Sequence, residues 1–134
     1  MPTEALETLF ALAAAFARAS RELDVHGLSF AEVRLLGALL TSDAGRRPTD
    51  LAHDLHLTAS GVTRALLPLE KRGIVERRRD EGDARSSLAA LTPAGRTLIG
   101  EALAHAGERA ARLLRRLSVG QAKQLQRLLD EIGR

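Results

Sequence analysis

The sequence predicts a mainly α-helical domain with one small β-hairpin. Three observations predict it. Apolar residues recur at three- and four-residue steps near both ends of the 134-residue chain. Two short helical patterns in the centre are separated by a tight turn at His56-Leu57. Directly after the second of these, Ile74–Arg79 and Ser87–Leu91 read as two strands around the polar stretch Asp80–Arg85, which contains Gly82.

Glu4 to about Val25 is the first helix, since Leu6, Leu9, Phe10, Ala13, Phe16, Ala17, Ser20 and Leu23 form a continuous apolar stripe. Gly27 ends it. Ser29-Phe30-Ala31-Glu32 is a capping-box pattern, and Val33, Leu36, Leu39 and Leu40 give the next helix its buried face. Thr41–Arg47 is a loop. Pro48 opens a short helix to Leu55, at the position where its missing N–H costs nothing, with Leu51 and Leu55 one turn apart. Thr58 then caps a helix to about Arg72, with Val62, Leu66 and Leu69 on one face and Ser60, Thr63, Arg64 and Leu67 on others. Gly73 can take the left-handed conformation that stops it. After the hairpin, Thr92 and Pro93 start a long helix with Leu98, Ala102, Ala106, Ala110, Leu113 and Leu117 as its apolar face. Ser118-Val119-Gly120-Gln121 is a second capping box, beginning a last helix with Leu125, Leu128, Leu129 and Ile132. Two positions depart from a plain pattern. Pro68 removes the bond to the Arg64 carbonyl and should kink the second half of its helix. His56 stands in the turn where Gly is common.

A helix-turn-helix followed by a basic hairpin is a winged helix-turn-helix. Asp83-Ala84-Arg85 and Leu91-Thr92-Pro93-Ala94-Gly95, after Leu69-Glu70-Lys71-Arg72-Gly73-Ile74-Val75, resemble the signature of the MarR family of bacterial winged-helix regulators. The resemblance covers most of the chain. It implies one domain over residues 1–134, in which 29–92 is the DNA-binding winged unit and 3–28 and 93–134 are dimerisation helices. One winged unit could hardly cover both terminal stripes, so an obligate homodimer is expected.

The expected function is a sequence-specific regulator of transcription, a repressor binding a palindromic operator. The second helix of the motif would enter the major groove of double-stranded DNA, with Ser60, Thr63 and Arg64 reaching base edges and flanking phosphates. Thr58, beside the amide-rich helix start, is an N-cap and can also hold a phosphate. Arg85 at the wing tip would reach the minor groove, and the resemblance implies that Asp83 orients its guanidinium. Arg77, Arg78 and Arg79 alternate across the strand, so not all face one way; Arg77 and Arg79 are the candidates for backbone phosphates. The resemblance further implies a small-molecule effector, bound among Phe10, Phe16, Phe30, Leu36 and the start of the helix after Thr92. Those residues are equally well explained as core.

Composition narrows the alternatives. The net charge of +3 is modest, but the cations of the motif and wing are nearly all Arg, which suits bidentate contact with phosphates and guanine edges. The absence of Cys excludes disulfides, thiolate metal sites and cysteine-based peroxide sensing. No apolar run is long enough to span a bilayer; Leu9–Ala17 is preceded by Glu4 and Glu7 and followed by Arg18, so no membrane association and a cytoplasmic location are expected. Nucleotide-loop, metalloprotease and nucleophile-elbow motifs are missing, so neither an enzyme nor a cofactor is expected. Two other readings stand beside the regulator. One is a winged-helix dimer serving as a protein-interaction module without DNA binding. The other is a metal sensor using His53 and His56, or His26 and His105, with Asp24, Glu22 or Asp54.

Overall fold

The computed structural model describes residues 2–134, so Met1, the first residue of the expected domain, lies outside the description. Its elements run α1 (Pro2–Glu22), α2 (Phe30–Leu39), α3 (Pro48–Asp54), α4 (Ala59–Lys71), β1 (Val75–Arg79), β2 (Ser87–Leu91), α5 (Pro93–Leu113) and α6 (Val119–Ile132). The fold is mainly helical with one antiparallel hairpin, as the sequence predicts.

The helix starts follow their local chemistry. Ser29 and Ser118 both form complete capping boxes with Glu32 and Gln121. Thr58 and Thr92 each accept a hydrogen bond at 3.0 Å from the amide of the third helical residue, Gly61 and Gly95. Helix ends follow glycine. Gly73, at φ +73°, closes α4 with paired bonds from Gly73 N to Glu70 O (3.0 Å) and from Ile74 N to Leu69 O (2.9 Å). Helix α1 stops at Glu22, short of Val25. His26 and Gly27, both at positive φ, form a two-residue turn across which Val25 and Leu28 exchange backbone bonds of 3.0 and 2.8 Å. Helix α4 runs through Pro68 to Lys71. Pro68 is exposed, so the Arg64 carbonyl it orphans lies on the solvent side, and Leu66 and Leu69 stay buried.

The core lies where α2, α3, α4, the hairpin and the first half of α5 meet, around the fully buried Leu36, Leu39, Leu51, Val62, Leu69 and Ile99. Helix α2 is buried on more than one face, Leu35 joining Val33, Leu36 and Leu39, because it packs against α1, α5 and β2 together. In α5 the first half supplies the buried residues Gly95, Ile99 and Ala102, with Ile99 off the expected stripe. The sheet also extends beyond the hairpin. Arg46 and Ala89 exchange two backbone bonds of 2.8 Å, so the end of the expected Thr41–Arg47 loop adds a bridge to β2. Gly45 enters this bridge at φ +96°, where a Cβ would stand 2.8 Å from the Ala89 carbonyl oxygen.

The terminal helices contrast with this core. Helix α6 buries no residue, and Leu6, Leu9, Phe10 and Phe16 of α1 are all at least half exposed.

Gly95 sits so close to the strand end that a Cβ there would fall 1.9 Å from the Ile74 carbonyl oxygen. Gly95→Ala should therefore destabilise the fold by about 3 kcal/mol, at the upper end of overpacking costs; urea unfolding followed by circular dichroism measures it.

Candidate nucleic-acid interface

Helices α3 and α4 are joined by a turn that His56 makes at φ +54°, and the Leu57 amide donates to the Ala52 carbonyl at 2.8 Å. Val62, Leu66 and Leu69 anchor one face of α4 in the core. The opposite face presents Ser60 and Arg64, with Thr63 half-buried between the two. Thr58, at the helix start, is exposed, and its hydroxyl also lies 3.5 Å from that of Ser60. The Arg64 guanidinium has no partner among the described residues.

The hairpin pairs Val75 with Leu91 through to Arg79 with Ser87. Its three consecutive arginines take different roles. Arg77 is engaged by Glu70 of α4 and lies 3.4 Å from the Ser87 hydroxyl, so it ties the wing to the helix. Arg78 pairs with Glu76 at 2.9 Å and reaches the Asp43 carbonyl. Arg79 is exposed and without a partner among the described residues.

The wing tip is organised by Asp80, which is not among the site residues the sequence singles out. Its carboxylate accepts from Arg47 Nε at 2.6 Å, from the Ser86 hydroxyl at 2.8 Å and from the Gly82 amide at 3.0 Å. The signal was present: Asp two residues before Gly is an Asx-turn pattern. Its partner Arg47, the N-cap residue just before α3, lies 33 positions away and carries no such signal. The hydroxyl of Ser86 and the guanidinium of Arg47 hold the Asp80 carboxyl down to about 2, against 3.8 for a free Asp. Nearby, Arg46 pairs with Asp54 and lowers that carboxyl also.

Asp83 and Arg85 are connected differently from the expectation. The Asp83 carboxylate accepts the main-chain amide of Arg85 at 2.9 Å, a bend of the backbone rather than a clamp on the side chain. The Arg85 guanidinium is exposed and unpaired among the described residues. Among the described residues, α4 and the hairpin thus carry three unpaired guanidiniums, on Arg64, Arg79 and Arg85, on a frame fixed by the paired Arg46, Arg47, Arg77 and Arg78.

A model of the MarR family matches residues 26–86, which span α2 to the wing tip. The HTH-type transcriptional repressor Rv2887 of Mycobacterium tuberculosis is 32% identical over 114 residues, covering 85% of this chain and 81% of that protein. The chain belongs to the MarR family of transcriptional regulators. Its fold matches a probable transcriptional regulator from Pseudomonas aeruginosa at a TM-score of 0.85, with 27% identity over 92% of this chain and 94% of the other. It matches the transcriptional repressor CouR, bound to a 23-mer DNA duplex, at 0.84, with 28% identity over 93% and 91%.

The four residues expected around a MarR effector are not brought to one place. Phe16 and Phe30 pack ring to ring at 6.0 Å. Phe30 lines an apolar groove of about 480 Å³ between α2 and α5, together with Leu23, Val33, Gly37, Leu103 and Ala106. Leu36 lies in the core at 0% exposure and Phe10 is 63% exposed; neither lines this groove. The histidines also separate. His26 and His105 meet edge to face at 5.4 Å, while His53 and His56 are exposed on the motif turn. Among the described residues no three His, Asp or Glu side chains converge as metal ligands would.

Because the folded pKa of Asp80 lies below its unfolded value, its contribution is complete above about pH 4 and fades as pH falls towards 2. An NMR titration of the Gly82 amide should report a midpoint near 2 rather than 3.8. Asp80→Asn should remove that step.

Proposed function

We propose that this MarR-family chain binds double-stranded DNA as a homodimer and represses transcription from a palindromic operator. The observation that carries this reading is the division among the arginines. Arg46, Arg47, Arg77 and Arg78 are consumed in holding motif and wing together, whereas Arg64, Arg79 and Arg85 have no side-chain partner among the described residues. Unpaired guanidiniums on one surface release counterions when they meet phosphates, and they fork onto guanine edges. Helix α4 would lie in the major groove, with Ser60, Thr63 and Arg64 towards the bases and Thr58 at a phosphate. Arg79 would meet the backbone, and Arg85 the minor groove beside the half-site. Arg77 supports the wing through Glu70, and Asp83 shapes the tip that presents Arg85. CouR, a structural relative 28% identical, is bound to a DNA duplex in its structure, which supports the same use here.

The uncovered apolar residues of α1 and α6 support the dimer, since large exposed apolar patches on a chain mark association surfaces. A two-fold dimer reads two half-sites about 34 Å apart, so the operator is expected to be palindromic. A small-molecule effector in the α2–α5 groove would act by preferring another spacing of the two recognition helices.

Fluorescence anisotropy with DNA flanking the protein's own gene, at two salt concentrations, tests the reading. Wild type should bind with strong salt dependence, and Arg85→Ala should lose about 1–3 kcal/mol. Absence of binding by a folded dimer would shift the reading to a protein-interaction module. Light scattering at micromolar concentration should give twice the mass of one chain; a monomer would contradict the dimer.

A further inference from the structure

Where the end of α1 meets the end of α5, an arginine-lined cavity of about 260 Å³ opens between Arg18, Glu22, Arg112, Arg115 and Arg116. A second hollow of about 320 Å³, lined by Glu22, Arg109 and Arg112, adjoins it through the two residues they share. Five arginines therefore surround a single carboxylate. That carboxylate offsets one of the five, Glu22 accepting from Arg18 Nε at 2.9 Å. Arg109 is also committed, donating to the Glu22 and Asp24 carbonyls at 3.1 and 2.9 Å and so fixing the end of α1 against α5. The guanidiniums of Arg112, Arg115 and Arg116 are exposed and have no partner among the described residues.

Cations at a helix C-terminus answer the dipole, and Arg112 stands in the last turn of α5. The dipole end amounts to about half an elementary charge. Three unpaired guanidiniums exceed it several-fold, so the dipole does not account for the cluster. Guanidiniums gathered around one hollow repel one another, an anion between them relieves that repulsion, and their planar forks match the oxygens of phosphate or carboxylate.

We propose that this cavity is a binding site for a compact polyanion carrying two or more phosphate or carboxylate groups. Arg112, Arg115 and Arg116 are its ligands, and Arg18 and Arg109 hold its walls. The site is separate from the proposed DNA surface of α4 and the wing, and also from the apolar α2–α5 groove. Leu23 lines that groove, between the two carbonyls that Arg109 grips, whereas Glu22 lines the cavity.

Isothermal titration of the full-length protein with pyrophosphate and, separately, with citrate tests the site, with ionic strength held constant by sodium chloride. Saturable binding of one anion per cavity is expected for at least one probe, and the better probe identifies the preferred group. The double variant Arg112→Gln, Arg116→Gln should bind at least about tenfold more weakly. Lys123→Gln, on α6 outside the cavity, should match wild type. No saturable binding, or binding unchanged in the double variant, would overturn the proposal. So would dissociation of the double variant into monomers when wild type is a dimer, since the arginines would then serve the partner subunit. Circular dichroism of the double variant confirms that it is folded, and Arg115→Gln alone gives a second, milder test in the same direction.

Discussion

The carboxylate of Asp80 stands at the end of β1 and receives bonds from three separate pieces of chain. Arg47 brings the start of α3, Ser86 the return arm of the hairpin, and Gly82 the turn itself. A two-stranded hairpin alone is marginal in water, and an unsupported one would let the wing swing relative to the recognition helix. Here both strands of the hairpin are tied at mid-length. The Arg77–Glu70 pair joins β1 to α4, and the Arg46–Ala89 bridge joins β2 to the chain entering α3. Asp80 closes the remaining freedom at the tip. The proposed reading surface is then one body, in which the distance from Arg64 to Arg85 is set by packing and hydrogen bonds.

That constraint explains why so many charges lie in a region with modest net charge. Acidic residues among the arginines do not simply dilute the positive surface. Asp54, Glu70, Glu76 and Asp80 each neutralise an arginine that builds the frame, and the cations left over are those placed on the outer face of α4 and at the exposed parts of the wing. Counting charges along the sequence gives a small excess. Sorting them by partner gives a surface with a defined set of free guanidiniums.

Features set by neighbours in sequence were legible from the residues alone. Capping by Ser29, Thr58, Thr92 and Ser118, the stop at Gly73 and the strands of the wing depend on interactions within a few positions. Features set by long-range packing were not. Leu35 and Ile99 are buried because α2 and α5 touch several elements at once. Arg47 meets Asp80 across 33 positions, and Arg46 meets Ala89 across the sheet. The Asp83–Arg85 motif was visible, but the atom that Asp83 binds was not, because the turn offers it both an amide and a guanidinium. The scattered phenylalanines show the same limit: an aromatic on an apolar stripe can line a groove, as Phe30 does, or stand at an uncovered face, as Phe10 does.

In the proposed function the recognition helix and the wing act together, twice over, on one DNA duplex. Hydroxyl-radical footprinting of the bound operator tests this most directly, because it reports backbone protection at single-nucleotide resolution. Two protected blocks are expected, whose centres lie about one helical turn (about 10–10.5 base pairs) or a multiple of it apart. Each should be flanked by a minor-groove protection that disappears in Arg85→Ala while the central blocks remain. A single protected block, or flanking protection that survives loss of the Arg85 side chain, would contradict it.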